Sequence, residues 1–194
     1  MTYAERKSSD TPKWLIVKSN EIIKKYGDYG SFALKFNPDL QVVCAMNLRH
    51  AMTGDVPTIR QLKATYTIDQ LRSWLSNQFE DLNNYSGVKD KLEFENMIRL
   101  ANVFLTKCEH LKASEILLFF HKLKSGDFGV FYGAIDPIVI GNFLNDFMVW
   151  RSDELTKIQR AVETERKEAQ LKNAREKAVT REEYERRKAL KNKK

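Results

Sequence analysis

The sequence predicts an all-α protein, in which a compact multi-helix domain is followed by a long, solvent-exposed, basic C-terminal helix. Apolar residues recur three or four positions apart along most of the chain, which is the spacing of a helix that buries one face. Proline or a capping residue precedes most of these runs, and glycine follows several of them. Hydrophobic residues make up 42% of the sequence, which is enough to bury a core.

The N-terminal part of the chain carries the start and stop signals of two helices. The first is expected to begin at Pro12 and to end at Gly27, and the second to begin at Pro38 and to end at Gly54, because proline favours the start of a helix and glycine its end. A short segment at 57–66 follows. The residues expected to face the core are Leu15, Ile22 and Ile23 in the first helix and Leu40, Val43, Cys44 and Leu48 in the second.

Capping boxes predict the starts of the next two helices. Thr67 and Gln70 fit one box, in which each side chain bonds the backbone amide of the other residue, and this helix is expected to run to about Leu82. Asp90 and Glu93 are interpreted as a second, acidic box. The stripes expected to be buried are Ile68, Leu71, Leu75, Phe79 and Leu82, and then Leu92, Met97, Ile98, Ala101, Leu105 and Cys108.

The segment from Ala113 to Lys124 is intensely apolar, so it is predicted to be a helix at the centre of the domain. Residues 126–133 read GDFGVFYG and interleave three glycines with three aromatic residues. This composition resists helix formation but buries well, so the segment, called the Gly-aromatic loop below, is predicted to be a structured loop. Asp136 and Pro137 then begin the last helix, which has no convincing stop before about Ala178.

Charge divides the chain into a globular helical domain at 1–156 and a basic, charged helical tail at 157–194. The domain contains 19 basic and 19 acidic residues, whereas the tail contains 14 basic and 7 acidic residues. The net charge of +7 therefore lies entirely in the tail. A long coiled coil is the less favoured interpretation of the tail, because Glu165 and Lys172 fall at would-be core positions, and the sequence indicates no oligomeric state.

Several functional classes lack support in the sequence. Cys44 and Cys108 lie within apolar helical patterns and are interpreted as buried thiols, and the three histidines have no zinc-ligand spacing. No catalytic or nucleotide-binding motif is found, so neither an enzymatic activity nor a cofactor is expected. The chain starts without an apolar leader, and its longest apolar stretch, Ile116–Phe120, is too short to cross a bilayer. A cytoplasmic protein without membrane attachment is therefore expected.

The Gly-aromatic loop is the first candidate for a functional surface. If exposed, Phe128, Phe131 and Tyr132 would offer flat rings that bind a partner protein or stack on bases. Alternatively, the three rings fill the space between the two flanking helices, and this interpretation is preferred because the residues on both sides are strongly apolar. The glycines lack the lysine and the serine or threonine of a phosphate-binding loop.

The basic tail is the second candidate. Its lysines and arginines could neutralise phosphates, which would give salt-dependent attraction to nucleic acid of any sequence. An equally weighted alternative is an ordinary solvated helix whose seven acidic residues weaken the field. The residues predicted to bind nucleic acid are Lys172, Arg175, Lys177, Arg181, Arg186, Arg187, Lys188 and Lys191.

A resemblance to a known family is carried by the segment from Thr58 to Arg151. It contains IRQLKATY, then DLNNYSGVKDKL, and then LFFHKLKSGDFGVFYGAIDP followed by an apolar helix that ends in arginine. With these stretches the chain resembles an uncharacterised family of small helical proteins from Bacteroidetes phages and conjugative elements. The resemblance implies a setting in phage replication or DNA maintenance and a build similar in style to helicase loaders. It implies no catalytic residue, and the N-terminal segment and the basic tail depart from it.

These observations lead to one functional hypothesis and one alternative. The hypothesis is a non-enzymatic accessory protein of a phage or mobile element that acts in DNA replication. It would bind a replisome protein such as a helicase through the helical domain and nucleic acid through the tail. The alternative is a structural or host-interaction protein whose tail docks on an acidic protein surface.

Overall fold

A computed structural model describes residues 12–177, together with residues 182, 184–186 and 188. Helices make up the regular structure of these residues, and no strand is found among them, which confirms the predicted all-α fold class. The helices are α1 (Lys13–Tyr26), α2 (Tyr29–Lys35), α3 (Leu40–Met46), α4 (Leu48–Thr53), α5 (Ile59–Thr65), α6 (Ile68–Ser86), α7 (Phe94–Lys107), α8 (Ala113–Lys124) and α9 (Pro137–Lys177).

The core of the domain lies around α8, in which nine of twelve residues are buried. Helices α3, α4 and α6 pack against α8, α7 packs against α6, and α1 packs against α5. Aromatic rings fill the centre: the ring centroid of Phe79 lies 5.1 Å from that of Phe120 and 5.5 Å from that of Phe104. Both pairs meet edge to face, an arrangement in which aromatic rings attract. The central position predicted for this apolar helix is confirmed.

Helix α6 begins where the capping box predicts. The Thr67 amide donates to Gln70 Oε1 at 2.9 Å, and the Gln70 amide donates to Thr67 Oγ1 at 3.2 Å. The helix continues to Ser86, about one turn beyond the predicted end, and Gly87 stops it with a left-handed φ of 67°. In the predicted stripe, Ile68 is half-buried and the other four residues are buried.

The acidic capping box predicted at Asp90 and Glu93 is wrong. Helix α7 begins at Phe94, and Glu93 precedes it without a side-chain capping bond. Asp90 instead pairs through its backbone: its amide donates to the Gly133 carbonyl at 3.1 Å, and its carbonyl accepts the Ile135 amide at 3.0 Å. The segment before α7 is therefore extended and bonded to the end of the Gly-aromatic loop, which takes Asp90 away from the helix.

The N-terminal region contains more helices than the sequence analysis expected. The unexpected α2 is capped by Asp28, whose side chain accepts the Ser31 amide at 2.8 Å. The helix expected to span 38–54 is divided into α3 and α4 at Asn47, where φ of −118° and ψ of 55° interrupt the helical backbone. The capping aspartate adds α2 and the break at Asn47 divides the second expected helix, so this region contains four helices instead of two.

Two residues expected in the core, Ile23 and Val43, are exposed instead. The buried stripe of α1 consists of Leu15, Ile22 and Tyr26, and that of α3 consists of Gln41 and Cys44. In α3 the buried position belongs to a glutamine because its side-chain amide donates to Gln78 Oε1 at 2.8 Å. A hydrogen-bonded amide NH2 group is tolerated in a core, although Gln41 Oε1 is buried without a hydrogen-bond partner. Val43, two positions along, lies on the exposed side of α3.

The last helix begins at the predicted place and is long. Asp136 Oδ1 accepts the Ile138 amide at 2.6 Å, which caps α9, and the helix extends over 41 residues. The chain divides into two units after Trp150, whereas the sequence analysis placed the division after Thr156; both positions lie within α9. Every residue at 159–175 is exposed, as predicted for a helix surrounded by water.

Alanine substitutions at Gly129, in the Gly-aromatic loop, and at Gly141, in α9, are expected to change the free energy of unfolding in opposite directions. Gly129→Ala is expected to lower the free energy of unfolding by about 1 to 3 kcal/mol, because φ is 131° and an added Cβ would lie 2.9 Å from a Phe143 ring carbon. Gly141→Ala is expected to raise it by about 0.5 to 1 kcal/mol, because its added Cβ meets nothing within 4 Å. Urea denaturation of both variants measures the difference, and destabilisation at both positions would contradict it.

Candidate functional site

The residues predicted to bind nucleic acid lie partly within α9 and partly beyond it. Lys172 and Arg175 are exposed on α9, and Lys177 is the last residue of that helix. Arg186 and Lys188 are helical and exposed. Three further predicted residues, Arg181, Arg187 and Lys191, lie outside the described residues.

The cations at 159–175 of α9 are exposed, so an external anion can reach them. At 159–175 basic and acidic side chains alternate on an exposed helix. Nearer its start, Lys157 Nζ lies 2.6 Å from Glu154 Oε1, and this hydrogen bond raises the pKa of Lys157. Exposed pairs of this kind are weak and are screened by salt, so they compete poorly with a polyanion. The excess of basic over acidic residues after Lys172 therefore gives the basic tail a positive electrostatic potential.

The Gly-aromatic loop places its three rings in two different environments. Phe128 is half-buried, with its ring centroid 6.2 Å from that of Phe147, and Phe131 is half-buried, with its ring centroid 5.6 Å from that of Phe143. Tyr132 is 89% exposed. The two phenylalanines thus help to attach the loop to α9, as the packing interpretation expected, while the tyrosine ring remains accessible.

Polar contacts fix both ends of this loop. Lys122 forms an ion pair with Asp127 and lies 4.1 Å from the ring centroid of Trp150. The hydrogen bond from Lys122 lowers the pKa of the Asp127 carboxyl. At the other end, the backbone of Asp90 pairs with Gly133. A loop with a fixed backbone loses little entropy when its exposed residues bind a partner.

The domain also contains a cleft that the sequence analysis did not identify, called the N-terminal cleft below. Its volume is about 690 Å³, and it lies among α1, α2, α3, α4 and the start of α8. Its polar lining includes Lys25, Lys35, Asn47, His50 and Asp55. The apolar lining residues are Phe36, Leu40, Val43, Cys44, Ala51 and Val56. No spacing in the sequence could reveal this site, because its residues come from five helices and from the connections after α2, α3 and α4.

The nucleophilic groups of the N-terminal cleft are not activated. Burial raises the pKa of the Cys44 thiol to about 11, so the thiol is protonated at neutral pH and unreactive. Ser114, which also lines the cleft, donates its hydroxyl to the Ala51 carbonyl at 2.5 Å. A serine nucleophile needs a neighbouring base that accepts its proton, and a peptide carbonyl does not serve as one. Neither Cys44 nor Ser114 is therefore prepared for nucleophilic attack.

Cys44 and Cys108 are both buried thiols, as their apolar surroundings predict. Among the described residues, no cluster of three or more His, Cys, Asp or Glu side chains could hold a metal ion. None of the described helices has both the length and the apolar composition that crossing a bilayer requires.

Comparison with known proteins gives one match. Residues 91–194, slightly more than half of the chain, match a family of unknown function (DUF6633). No curated protein and no solved structure matches the chain. The matched region includes the Gly-aromatic loop and the basic tail. It therefore extends beyond residues 58–151, which carry the resemblance seen in the sequence, and it includes the tail that departs from that resemblance. The chain is thus a member of DUF6633, a family of unknown function.

Proposed function

We propose that this protein is a non-enzymatic accessory factor of a phage or mobile element that acts in DNA replication. Its basic tail binds nucleic acid, and its helical domain binds a replisome protein such as a helicase. The observation that carries the proposal is the exposure of four cations, Lys172, Arg175, Arg186 and Lys188, in the segment that holds the whole positive surplus of the chain.

Nucleic acid is favoured as the ligand of the tail because of how the charges are presented. Basic side chains that extend from an exposed helix can each approach a phosphate, and binding then releases condensed counterions. The helix offers no apolar stripe at 159–175 that would attach it to a bilayer. Such contacts read no base sequence, so the expected binding is salt-dependent and sequence-independent.

The Gly-aromatic loop supports a protein partner for the domain. Tyr132 and Val130 are exposed on a loop whose backbone is fixed by Lys122, Asp127 and Asp90. An exposed tyrosine on a rigid support provides a large contact area at a low entropic cost. Phe128, Phe131 and Tyr132 are the residues proposed to bind this partner, with Tyr132 making the direct contact.

A second candidate function is a structural or host-interaction protein whose tail docks on an acidic protein surface. The exposed cations Lys172 and Arg175 favour it as well, since a basic helix is complementary to an acidic protein surface. The two functions differ in a measurable way: only the first requires binding to bare DNA.

Replacing Lys172, Arg175, Arg186 and Lys188 together by glutamine tests the proposal. The variant is expected to bind duplex DNA at least about tenfold more weakly at low salt. The negative slope of log K against log salt is expected to become shallower by up to about 3 to 4, since each phosphate contact contributes about −0.9. Fluorescence anisotropy with a labelled 30-mer, a length of about three helical turns, measures both quantities.

A matched control removes the same charge from the domain. Glutamine at Lys13, Lys24, Lys89 and Arg99, which are all exposed, lowers the net charge equally and is expected to leave DNA affinity nearly unchanged. Equal losses in the two variants would show that net charge, and not the tail, attracts DNA. If the unaltered protein does not bind DNA at low salt, the proposal is wrong and the acidic-surface alternative takes its place.

A further inference from the structure

The N-terminal cleft has the size and the lining of a small-molecule site. Its volume of about 690 Å³ lies within the range of roughly 300 to 1,000 Å³ that is common for such sites. Phe36, Cys44 and Ala51 line it and are buried in the domain, so they give it a firm apolar floor. Val43 is 46% exposed and forms part of the wall, where a bound apolar group would cover it.

Two lysines converge on one wall of this cleft. Lys25 Nζ lies 5.3 Å and Lys35 Nζ 5.1 Å from the ring centroid of Tyr26, a residue that is itself buried in the cleft wall. The two ammonium groups come from different helices, α1 and α2. Their shared position over one aromatic ring places positive charge directly beside the apolar floor.

The two ammonium groups differ in how their charge is balanced. Lys25 Nζ donates to Asp55 Oδ2 at 2.8 Å, and this hydrogen bond to the carboxylate raises the pKa of Lys25. Lys25 Nζ also donates to the Asp55 carbonyl at 2.7 Å. Lys35 forms no ion pair with any carboxylate in the part of the chain that is described. The cleft therefore holds one neutralised lysine and one lysine whose charge is available to an incoming anion.

We propose that the N-terminal cleft binds a small amphiphilic anion, in which an apolar body lies on the floor of the cleft and a carboxylate is bound by Lys35. Asn47 and His50, which line the same cleft, supply further hydrogen-bond donors for the anionic group. An apolar body without a charge would leave the ammonium unpaired, and a cationic amphiphile would be repelled by it. All of the lining residues belong to the helical domain, and this inference does not depend on the function proposed for the tail.

Probes of matched length test the chemistry of this cleft. Decanoate, decanol and decyltrimethylammonium share one apolar chain and differ in the charge of the head group. Isothermal titration calorimetry of the full-length protein is expected to rank their affinities as decanoate first, decanol second and decyltrimethylammonium last. If decanoate does not bind at millimolar concentration, or binds no better than decyltrimethylammonium, the proposal is overturned.

Neighbouring valines on α3 provide a matched pair of variants. Val43→Trp fills the cleft and is expected to weaken decanoate binding at least tenfold. Val42→Trp is the control, because Val42 is exposed to nearly the same extent, 49%, and does not line the cleft. Both positions are on the surface, so both variants are expected to fold. Equal weakening by the two substitutions would mean that decanoate binds elsewhere.

Substitutions that change the charge of the cleft test whether Lys35 binds the carboxylate, because they do not fill the cleft. Lys35→Gln is expected to lower decanoate affinity about three- to tenfold and to leave decanol affinity unchanged, since only one ion contact is lost. Lys24→Gln, an exposed lysine outside the cleft, is expected to change neither. Asp55→Asn is expected to raise decanoate affinity about two- to fivefold, because it releases Lys25 from its carboxylate. A loss of affinity in Asp55→Asn would contradict the assigned charges.

Discussion

Replacing Leu118 or Leu75 by alanine is expected to lower the free energy of unfolding by about 2 to 5 kcal/mol. Leu118 lies in the central helix α8 and Leu75 in α6, which packs against α8, and neither side chain is more than 1% exposed. The substitution removes buried apolar surface and leaves a cavity, because the close-packed surroundings relax only in part. Urea denaturation followed by circular dichroism measures the loss.

Leu171→Ala is the control for these core variants. Leu171 lies on α9 and is 59% exposed, so its truncation removes little buried surface, and alanine is an equally good helix former. The free energy of unfolding is expected to change by less than about 0.5 kcal/mol. Similar losses at all three positions would show that the C-terminal part of α9 is packed into the core, contrary to the exposure described here.

Ending the chain after Lys172 is expected to weaken duplex DNA binding by a factor of about 100 or more at low salt. The removed segment contains nine basic and four acidic residues, so five of the seven net positive charges are lost with it. Counterion release makes the affinity depend steeply on the number of cations that contact phosphate. Fluorescence anisotropy of the full-length and shortened proteins against the same duplex measures the difference.

The shortened protein also separates binding from folding. Its melting temperature is expected to remain close to that of the full chain, because the removed residues whose burial the structure describes, 173–175, 182, 184–186 and 188, are all exposed. A large fall in melting temperature would mean that the lost binding reflects unfolding. Unchanged DNA affinity in the shortened protein would place the contact on the domain and would leave the tail without its proposed role.

Helix positions with a local physical cause could be predicted from the sequence. Thr67 and Gln70 cap α6 because the four residues of a capping box need only one another. Asp136 and Pro137 start α9 through an equally local contact, in which Asp136 Oδ1 accepts the Ile138 amide. The apolar α8 is central because a helix that is hydrophobic on most sides has to be covered on most sides.

Features that depend on distant residues could not be predicted in this way. The buried side chain of Gln41 donates to Gln78, far along the chain, whereas the amphipathic pattern predicted that Val43 would be buried in this helix. Asp90 resembled a helix cap but bonds to the backbone of Gly133. In both cases a tertiary hydrogen bond outweighed the local preference.

The two candidate sites also differ in whether their residues are close together or far apart in the sequence. The cationic tail is visible in the sequence because its residues are contiguous, and exposure of Lys172 and Arg175 follows from the absence of an apolar stripe. The N-terminal cleft is invisible there, since Lys25, Lys35 and Val43 meet only after the short helices have packed. Contiguous sequence motifs can identify a charged tail or a loop, whereas a cleft can be identified only from the folded structure.

The salt dependence of duplex DNA binding by the full-length protein tests the central claim most directly. Association constants measured between 50 and 200 mM KCl are expected to give a straight line of log K against log salt with a slope steeper than about −2, as several tail cations each displace a counterion. A slope near zero, or the absence of binding at 50 mM KCl, would contradict the claim that the exposed cations of the tail bind phosphate.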